Sequence, residues 1–105
     1  MTQARIVLTT AGSQDEARKI AHALVERKLA ACVNIIPQVE SIYRWQGKVE
    51  SATEWLLIVK TQSSAFAQVG DAIRELHSYE LPECLMLEIS DGSTDYLSWI
   101  ADNVS

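Results

Sequence analysis

The chain has 105 residues, which fits one domain spanning residues 1–105 with a core large enough to fold without metal or disulfide staples. Nine Lys and Arg residues stand against fourteen Asp and Glu residues, so the formal net charge is −5. This balance argues against nucleic acids and anionic membranes as partners, because both require a basic surface.

Neither a membrane span nor a secretory signal is predicted. The longest apolar runs, Leu29–Val33 and Trp55–Val59, have five residues, whereas a bilayer requires about 20. No long apolar stretch precedes the first acidic residues, as it would in a signal peptide. We therefore expect a cytoplasmic protein whose cysteines, Cys32 and Cys84, are free thiols.

The first elements in chain order are a strand and a helix. Arg5–Thr10 is short, apolar and β-branched, which is typical of a strand. Ser13 and Glu16 fit a capping box, and apolar residues then recur at helical spacing. This pattern predicts a helix over Gln14–Lys28, with two basic residues at its C-terminal end.

A long hairpin follows over Cys32–Lys60. The segments Cys32–Ile36 and Val39–Trp45 form its first strand, in which Pro37 predicts a bulge or an edge. Gln46-Gly47 is a turn signal, and Lys48–Lys60 returns as the second strand. Strands of this length exceed the usual 5–6 residues or so, which predicts an arm that reaches beyond its own domain.

The last elements are a helix, a strand and a short helix. Ser63 or Ser64 is the expected cap of a helix with one apolar stripe. Glu83–Ser90 is predicted as the fourth strand, and Thr94–Val104 as the last helix. The order βαββαβ plus a C-terminal helix predicts an α+β, ferredoxin-like split βαβ fold, in which an antiparallel sheet has both long helices on one face.

The second face of that sheet is unusually apolar. Half-solvated strands should alternate apolar and polar residues, but Ile6–Leu8, Trp55–Val59 and Leu85–Leu87 are apolar throughout. This pattern predicts a homo-oligomer packed sheet to sheet, since soluble monomers rarely expose such a patch. The alternative is that the C-terminal helix covers this face alone.

Five segments together resemble the CutA divalent-cation tolerance family. They are Ala31-Cys32-Val33-Asn34, then Ser41-x-Tyr43-x-Trp45-x-Gly47, then Glu54 with Lys60-Thr61, then His77-x-Tyr79-Glu80-x-Pro82-Glu83, and Tyr96-Leu97-x-Trp99-Ile100. The resemblance implies a compact homotrimer similar to the PII signalling proteins, with a role in tolerance to copper and other divalent metals. Two positions depart from the family pattern: Ser78 stands where proline is usual, and Cys84 where an aliphatic residue is usual.

The matched polar residues are the candidates for binding at clefts between subunits. The predicted metal ligands are Cys32, His77, Glu80 and Glu83, because thiolate, imidazole and carboxylate suit copper or another divalent metal. The predicted ligand-cleft residues are Tyr43, Trp45, Glu54, Lys60 and Tyr79. Each has a structural alternative: Cys32 as a core thiol, His77 as a helix C-cap, the carboxylates as solvated groups and the aromatic rings as packing residues.

We therefore predict a non-enzymatic trimer that responds to a divalent metal or senses a small ligand and that requires no cofactor. Two other functions remain open. One is a scaffold that organises a partner protein and binds no metal. The other is a small hydrolase or isomerase using His77, which is disfavoured because no nucleophile motif, P-loop or dinucleotide fingerprint is present.

Overall fold

A computed structural model describes residues 2–105 and gives the predicted ferredoxin-like α+β fold. Its elements in chain order are β1 (Ala4–Ala11), α1 (Gln14–Glu26), β2 (Cys32–Trp45), β3 (Lys48–Gln62), α2 (Phe66–Leu76), β4 (Leu85–Glu88) and α3 (Thr94–Asp102). The strands form one sheet in the order β2-β3-β1-β4, with every neighbouring pair antiparallel. Among residues 2–105, no helix has the length and apolar character needed to cross a bilayer.

The start of α1 is capped as predicted, but the helix ends early. The Ser13 hydroxyl accepts a hydrogen bond from the Glu16 backbone N–H at 3.1 Å. The carboxylate of Glu16 points elsewhere, so only half of the capping box forms. The helix ends at Glu26 rather than Lys28, because Lys28 adopts a left-handed backbone with φ 59°.

The hairpin of β2 and β3 forms as predicted. Its register runs from Cys32 opposite Lys60 to Trp45 opposite Lys48, and it shifts between Ile36 and Val39, where the sequence predicts a bulge at Pro37. β3 pairs with β1 only over Trp55–Gln62. The outer half of the hairpin therefore projects as an arm, and the molecule measures 44 × 26 × 23 Å.

Three predicted boundaries in the second half of the chain are wrong. Ser63 does not cap α2, because it starts a 3-10 turn (Ser63–Ala65) and its hydroxyl donates to Gln3 Oε1 at 2.6 Å. β4 is shorter than Glu83–Ser90, since β1 pairs with it only over Arg5–Leu8. α3 ends at Asp102 rather than Val104.

The core lies between one face of the sheet and the two helices α1 and α2. Alternate residues of β1 and β3 point into it, so that Val7, Leu57 and Val59 are completely buried. Ile20 and Leu24 of α1 are also fully buried in this layer. Cys84 packs partly against the same cluster, where burial raises the pKa of its thiol despite the nearby Arg74 charge. Cys84 therefore packs as a small apolar residue at the position where the family pattern has an aliphatic one.

Neighbouring residues of α1 test this core. Replacing Leu24 with alanine should lower the free energy of unfolding by about 2–5 kcal/mol, because it leaves a cavity in a fully packed layer. Val25→Ala is the control, since Val25 is 42% exposed and alanine favours the helix, so we expect a change within about 0.5 kcal/mol. Urea unfolding measures both variants. Equal losses of unfolding free energy in the two variants would show that Leu24 does not lie in the core.

The opposite face of the sheet is only partly covered. α3 contacts β3 and β1, and its Ile100 is buried. On this face β4 remains open, with Leu85 and Leu87 exposed by 57% and 47%. The C-terminal helix therefore does not cover the apolar strands alone. β4 is also an edge strand, and such a strand offers unpaired backbone groups to another chain.

Candidate functional site: an acidic cleft at the base of the hairpin

One cleft of about 580 Å³ begins where the hairpin arm leaves the sheet and extends along the arm to Trp45. Four parts of the chain meet there, including the loop of residues 77–84 between α2 and β4. The lining consists of Thr10 of β1, Ser41–Tyr43 and Trp45 of β2, Glu54 of β3, and Tyr79–Leu81 and Glu83 of the 77–84 loop. Its volume falls within the range of about 300–1,000 Å³ that is usual for small-molecule sites.

The structure brings four of the five predicted cleft residues together. Tyr43, Trp45, Glu54 and Tyr79 all line the cleft, and so do the predicted metal ligands Glu80 and Glu83. Lys60 does not.

A hydrogen bond between Tyr79 and Glu54 joins the 77–84 loop to the hairpin. The Tyr79 hydroxyl donates to Glu54 Oε2 at 2.7 Å. Burial, followed by this hydrogen bond and the Glu54 charge, raises the pKa of Tyr79 far above its ordinary value. The tyrosine therefore stays a neutral donor at physiological pH. Glu54 itself is only 8% exposed.

A second carboxyl group is perturbed in the same place. Burial and then the charge of Glu54 raise the pKa of Glu83. Like charges in a partly buried site disfavour each other's ionised forms. The cleft has no lysine, arginine or histidine among its lining residues to offset these charges. Its potential is therefore negative.

His77 lies behind the cleft rather than in it. Its side chain is completely buried, with Nε2 2.5 Å from the Thr10 carbonyl oxygen, so Nε2 carries a hydrogen and donates. Nδ1 lies 3.0 Å from Glu16 Oε1 and 3.0 Å from the Tyr79 backbone N–H. A protonated ring donates to Glu16, whereas a neutral ring accepts from Tyr79. Both ring nitrogens are thus engaged within the fold.

His77 occupies the position of its structural alternative, the C-cap of α2. At that position its backbone N–H donates to the Ile73 carbonyl. Its ring packs against that of Tyr79, with centroids 4.5 Å apart. The contacts to β1 and α1 hold the start of the loop in place. His77 therefore positions Tyr79 toward Glu54.

Glu16 completes this anchoring. Partial burial acts to raise its pKa, but hydrogen bonds from Ser78 and the charges of His77 and Lys19 outweigh it, so the net pKa is lowered. The Ser78 backbone N–H donates to Glu16 Oε1 at 3.0 Å. A proline at this position, as in the family pattern, has no such N–H to donate. Serine at position 78 therefore makes a contact to Glu16 that proline could not make.

Lys60 and Cys32 lie at the other end of the sheet. They face each other across β2 and β3, and Lys60 Nζ donates to the Tyr96 hydroxyl at 3.2 Å. That hydrogen bond, opposed by burial, raises the pKa of Lys60, and the amine also lies 5.4 Å from the Tyr96 ring centroid. Glu54 and Lys60 do not pair within one chain, because six residues of strand β3 span roughly 20 Å.

The four predicted metal ligands do not converge within one chain. Cys32 lies opposite Lys60, whereas the His77 ring contacts Thr10, which pairs with Leu56. Four residues of β3 separate these positions, or roughly 13 Å. Among residues 2–105, no three His, Cys, Asp or Glu side chains are grouped so that they could hold a metal ion.

Several contacts could not be found from the sequence. Glu16 appears there only as a capping residue, and its role beside His77 depends on contact between residues far apart in the chain. Tyr96 belongs to one of the five segments that carry the family resemblance, but nothing in the sequence pairs it with Lys60. Ile42 and Leu81 line the cleft and are 68% and 73% exposed, and only the fold places them there.

The chain is a ferredoxin-like α+β protein in which the β2–β3 hairpin extends as an arm and borders an acidic cleft. A family model described as the CutA1 divalent ion tolerance protein matches residues 5–103. The chain belongs to this family.

One relative and two solved structures are similar to this chain over almost its whole length. A divalent-cation tolerance protein CutA of Thermus thermophilus is 49% identical over 98 residues, covering 93% of this chain and 95% of the relative. The structure of that organism's protein superposes with a TM-score of 0.95 at 47% identity, covering 97% of this chain and 99% of the other. An Archaeoglobus fulgidus structure, described as a periplasmic divalent cation tolerance protein, gives a TM-score of 0.94 at 44% identity, covering 97% and 99%.

Relatives from eukaryotes are longer than this chain. A CutA homologue of Xenopus laevis is 51% identical over 88 residues, which is 84% of this chain and 58% of the relative. The chain thus spans a little over half the length of that protein.

Proposed function

We propose that the protein acts in divalent-metal tolerance as a homotrimer, and that metal or a small ligand binds at clefts where its subunits meet. The carrying observation is the open strand β4, whose Leu85 and Leu87 are 57% and 47% exposed on the sheet face away from α1 and α2. Burying such side chains contributes about 1.5–3 kcal/mol each. An association of sheets recovers this energy, and the number three is what the resemblance implies.

The hairpin arm supports an assembly in the same way. Ile42 and Val49 near its tip are 68% and 66% exposed, and Trp45 is 40% exposed. Large apolar and aromatic groups on a projecting arm are typical anchors of an interface. The cleft extends along this arm from Glu54 to Trp45, so a neighbouring copy held by the arm would border it.

The proposed metal chemistry uses two kinds of donor. Glu80 and Glu83 offer carboxylate oxygens in the cleft, and Cys32 offers a thiol suited to Cu(I) at the far end of the sheet. Because these groups lie apart within one chain, a shared site requires neighbouring copies. His77 acts here through the loop that it anchors, because both its ring nitrogens are engaged.

Metal titration tests this proposal. Cu(I) binding measured by competition with a chromogenic chelator should weaken at least about tenfold in Cys32→Ala, since a thiolate is the preferred soft ligand. Cys84→Ala is the matched control, because its thiol packs against the core, and it should bind as the parent does. Growth on copper of a bacterial strain lacking its own family member provides the cellular readout. Equal affinity and equal rescue by both variants would remove Cys32 from the function.

A second function, a scaffold for a partner protein without physiological metal binding, is favoured by one observation. No three ligating side chains are grouped for a metal among residues 2–105. On this account, metal titration leaves the protein unchanged, and substitutions on the hairpin tip, such as Ile42→Asp, abolish recovery of one partner in a pull-down. Tight metal binding that depends on Cys32 would exclude the scaffold account.

A further inference from the structure

The hairpin loses its third strand at Trp55. β1 pairs with β3 only as far as Ala11, which lies opposite Trp55. On the other side of β3, the register shift places two residues of β2, Pro37 and Gln38, opposite the same tryptophan. A bulge of this kind interrupts the ladder of backbone hydrogen bonds and bends the strand. Gln38 also has a left-handed backbone with φ 56°, which residues other than glycine seldom adopt. The ladder is therefore weakest at the base of the arm.

Beyond Trp55, the hairpin arm (residues 39–54) is a two-stranded ribbon with little to hold it. Residues 42–51 are all exposed, and the ion pairs found among residues 2–105 lie outside the arm. Within that part of the chain, one hydrogen bond joins the arm to anything beyond the hairpin: the Tyr79 hydroxyl donates to Glu54 Oε2 at 2.7 Å. A two-stranded hairpin alone is only marginally stable in water. This one contact therefore has a large share in keeping the arm in place.

Tyr79 itself is held firmly on its other side. Its ring packs against the buried ring of His77, with centroids 4.5 Å apart, and its backbone N–H lies 3.0 Å from His77 Nδ1. Gly12, between β1 and α1, makes room for the hydroxyl. A Cβ at this position would lie 2.9 Å from the Tyr79 hydroxyl oxygen, which is closer than ordinary van der Waals contact. The tyrosine is thus fixed to the body of the fold and reaches from there to the arm.

We propose that Tyr79 is a latch: its hydroxyl holds the hairpin arm on the body of the protein, and the arm opens as one unit at the Pro37–Gln38 bulge when that contact is released. Segments of a folded protein can open in this way as cooperative units, at a lower free energy than global unfolding. The use of the latch rests on the proposed function, since an arm that is already ordered costs less to bind when a neighbouring copy meets it. The latch itself is a property of the single chain.

Hydrogen–deuterium exchange of the backbone amides tests the latch in the intact chain. Leu87→Glu is the background, because a charge on the open strand β4 should keep the copies apart, so that contacts between them do not protect the arm. Tyr79→Phe keeps the ring and removes the hydroxyl. The amides of residues 39–54 should then exchange at least about tenfold faster, because the arm opens without breaking that hydrogen bond. The amides of residues 56–62, which belong to the part of β3 paired with β1, should be unchanged.

Two further variants sharpen this experiment. Gly12→Ala places a methyl group where the Tyr79 hydroxyl lies, so it should displace the hydroxyl from Glu54 and accelerate exchange over the same residues. Tyr43→Phe is the matched control. Tyr43 lies on the arm and lines the same cleft, but no hydrogen bond joins its hydroxyl to the part of the chain that the structure describes. Its removal should leave exchange in the arm as it is in the background.

Two results would overturn the latch. One is exchange in Tyr79→Phe that equals exchange in Tyr43→Phe. The other is equal acceleration over residues 39–54 and 56–62, which would make Tyr79 a general stabiliser of the fold. The solution mass of the parent protein tests the proposed function separately. A single-chain parent would refute the assembly and leave the exchange result standing, whereas a trimeric parent with an unchanged arm in Tyr79→Phe would refute the latch alone.

Discussion

Glutamate in place of Leu87 is expected to break the assembly into single chains. Leu87 lies on β4 and is 47% exposed, so in an isolated chain a charge at this position would cost little. In a sheet-to-sheet trimer the same charge is buried three times without a partner, which costs several kcal/mol at each interface. The expected result is a fall in mass to that of one chain, with the helical circular dichroism retained.

Val25→Glu is the matched control for this experiment. Val25 is 42% exposed, almost the same fraction as Leu87, but it lies on α1 at the other side of the molecule. If exposure in the single chain governed the outcome, both variants would behave alike. Light scattering at several concentrations compares them. A Leu87→Glu protein with an unchanged mass would show that β4 is not an interface.

Removal of the His77 ring is expected to cause the second large effect. His77→Ala removes the side-chain donor to the Thr10 carbonyl and one of the two partners of the Glu16 carboxylate, which keeps the Ser78 N–H, and it opens a void behind the cleft. We expect the free energy of unfolding to fall by about 2–4 kcal/mol. His22→Ala is the control, because His22 is exposed on α1 and should change stability by less than about 0.5 kcal/mol.

The pH dependence of the free energy of unfolding tests whether the Glu16 carboxylate beside His77 is ionised. Folding lowers the pKa of Glu16 below its ordinary value of 4.5, because the contacts to Ser78, His77 and Lys19 outweigh its burial. A depressed carboxyl pKa stabilises the fold above that ordinary value, and the stabilisation is lost as pH falls through the folded-state pKa. Glu16→Gln should therefore be less stable than the parent at pH 7, and the difference should shrink in acid. A difference that stays constant from pH 7 to pH 3 would contradict the ionised contact.

Much of the fold could be predicted because local signals and tertiary packing agree. The periodicity of α1 and the turn at Gln46-Gly47 placed the first helix and the hairpin. The continuous apolar runs identified a sheet face that the two long helices cannot cover. Where tertiary context decides, the sequence is a poor guide. Ser63 is capable of capping, but here its hydroxyl donates to Gln3, and β4 pairs with β1 only over Arg5–Leu8.

The candidate site, too, could be predicted from the sequence only in part. The hairpin and the 77–84 loop bring four motif residues into one cleft: Tyr43, Trp45, Glu54 and Tyr79. The resemblance predicts the same four as members of one site. Lys60 belongs to the same set of motifs but lies beside Cys32 and Tyr96. Nothing in the sequence separates the two groups, since both belong to the same set of motifs. Only the register of β2 against β3 assigns each residue to one end of the sheet.

The central claim is that the apolar face of the sheet is covered by further copies of the chain. Multi-angle light scattering on the parent protein, followed down to submicromolar concentration, tests it most directly. The expected mass is about three times 11.7 kDa at every concentration, as for an obligate assembly. A well-folded particle of 11.7 kDa throughout that range would contradict the account.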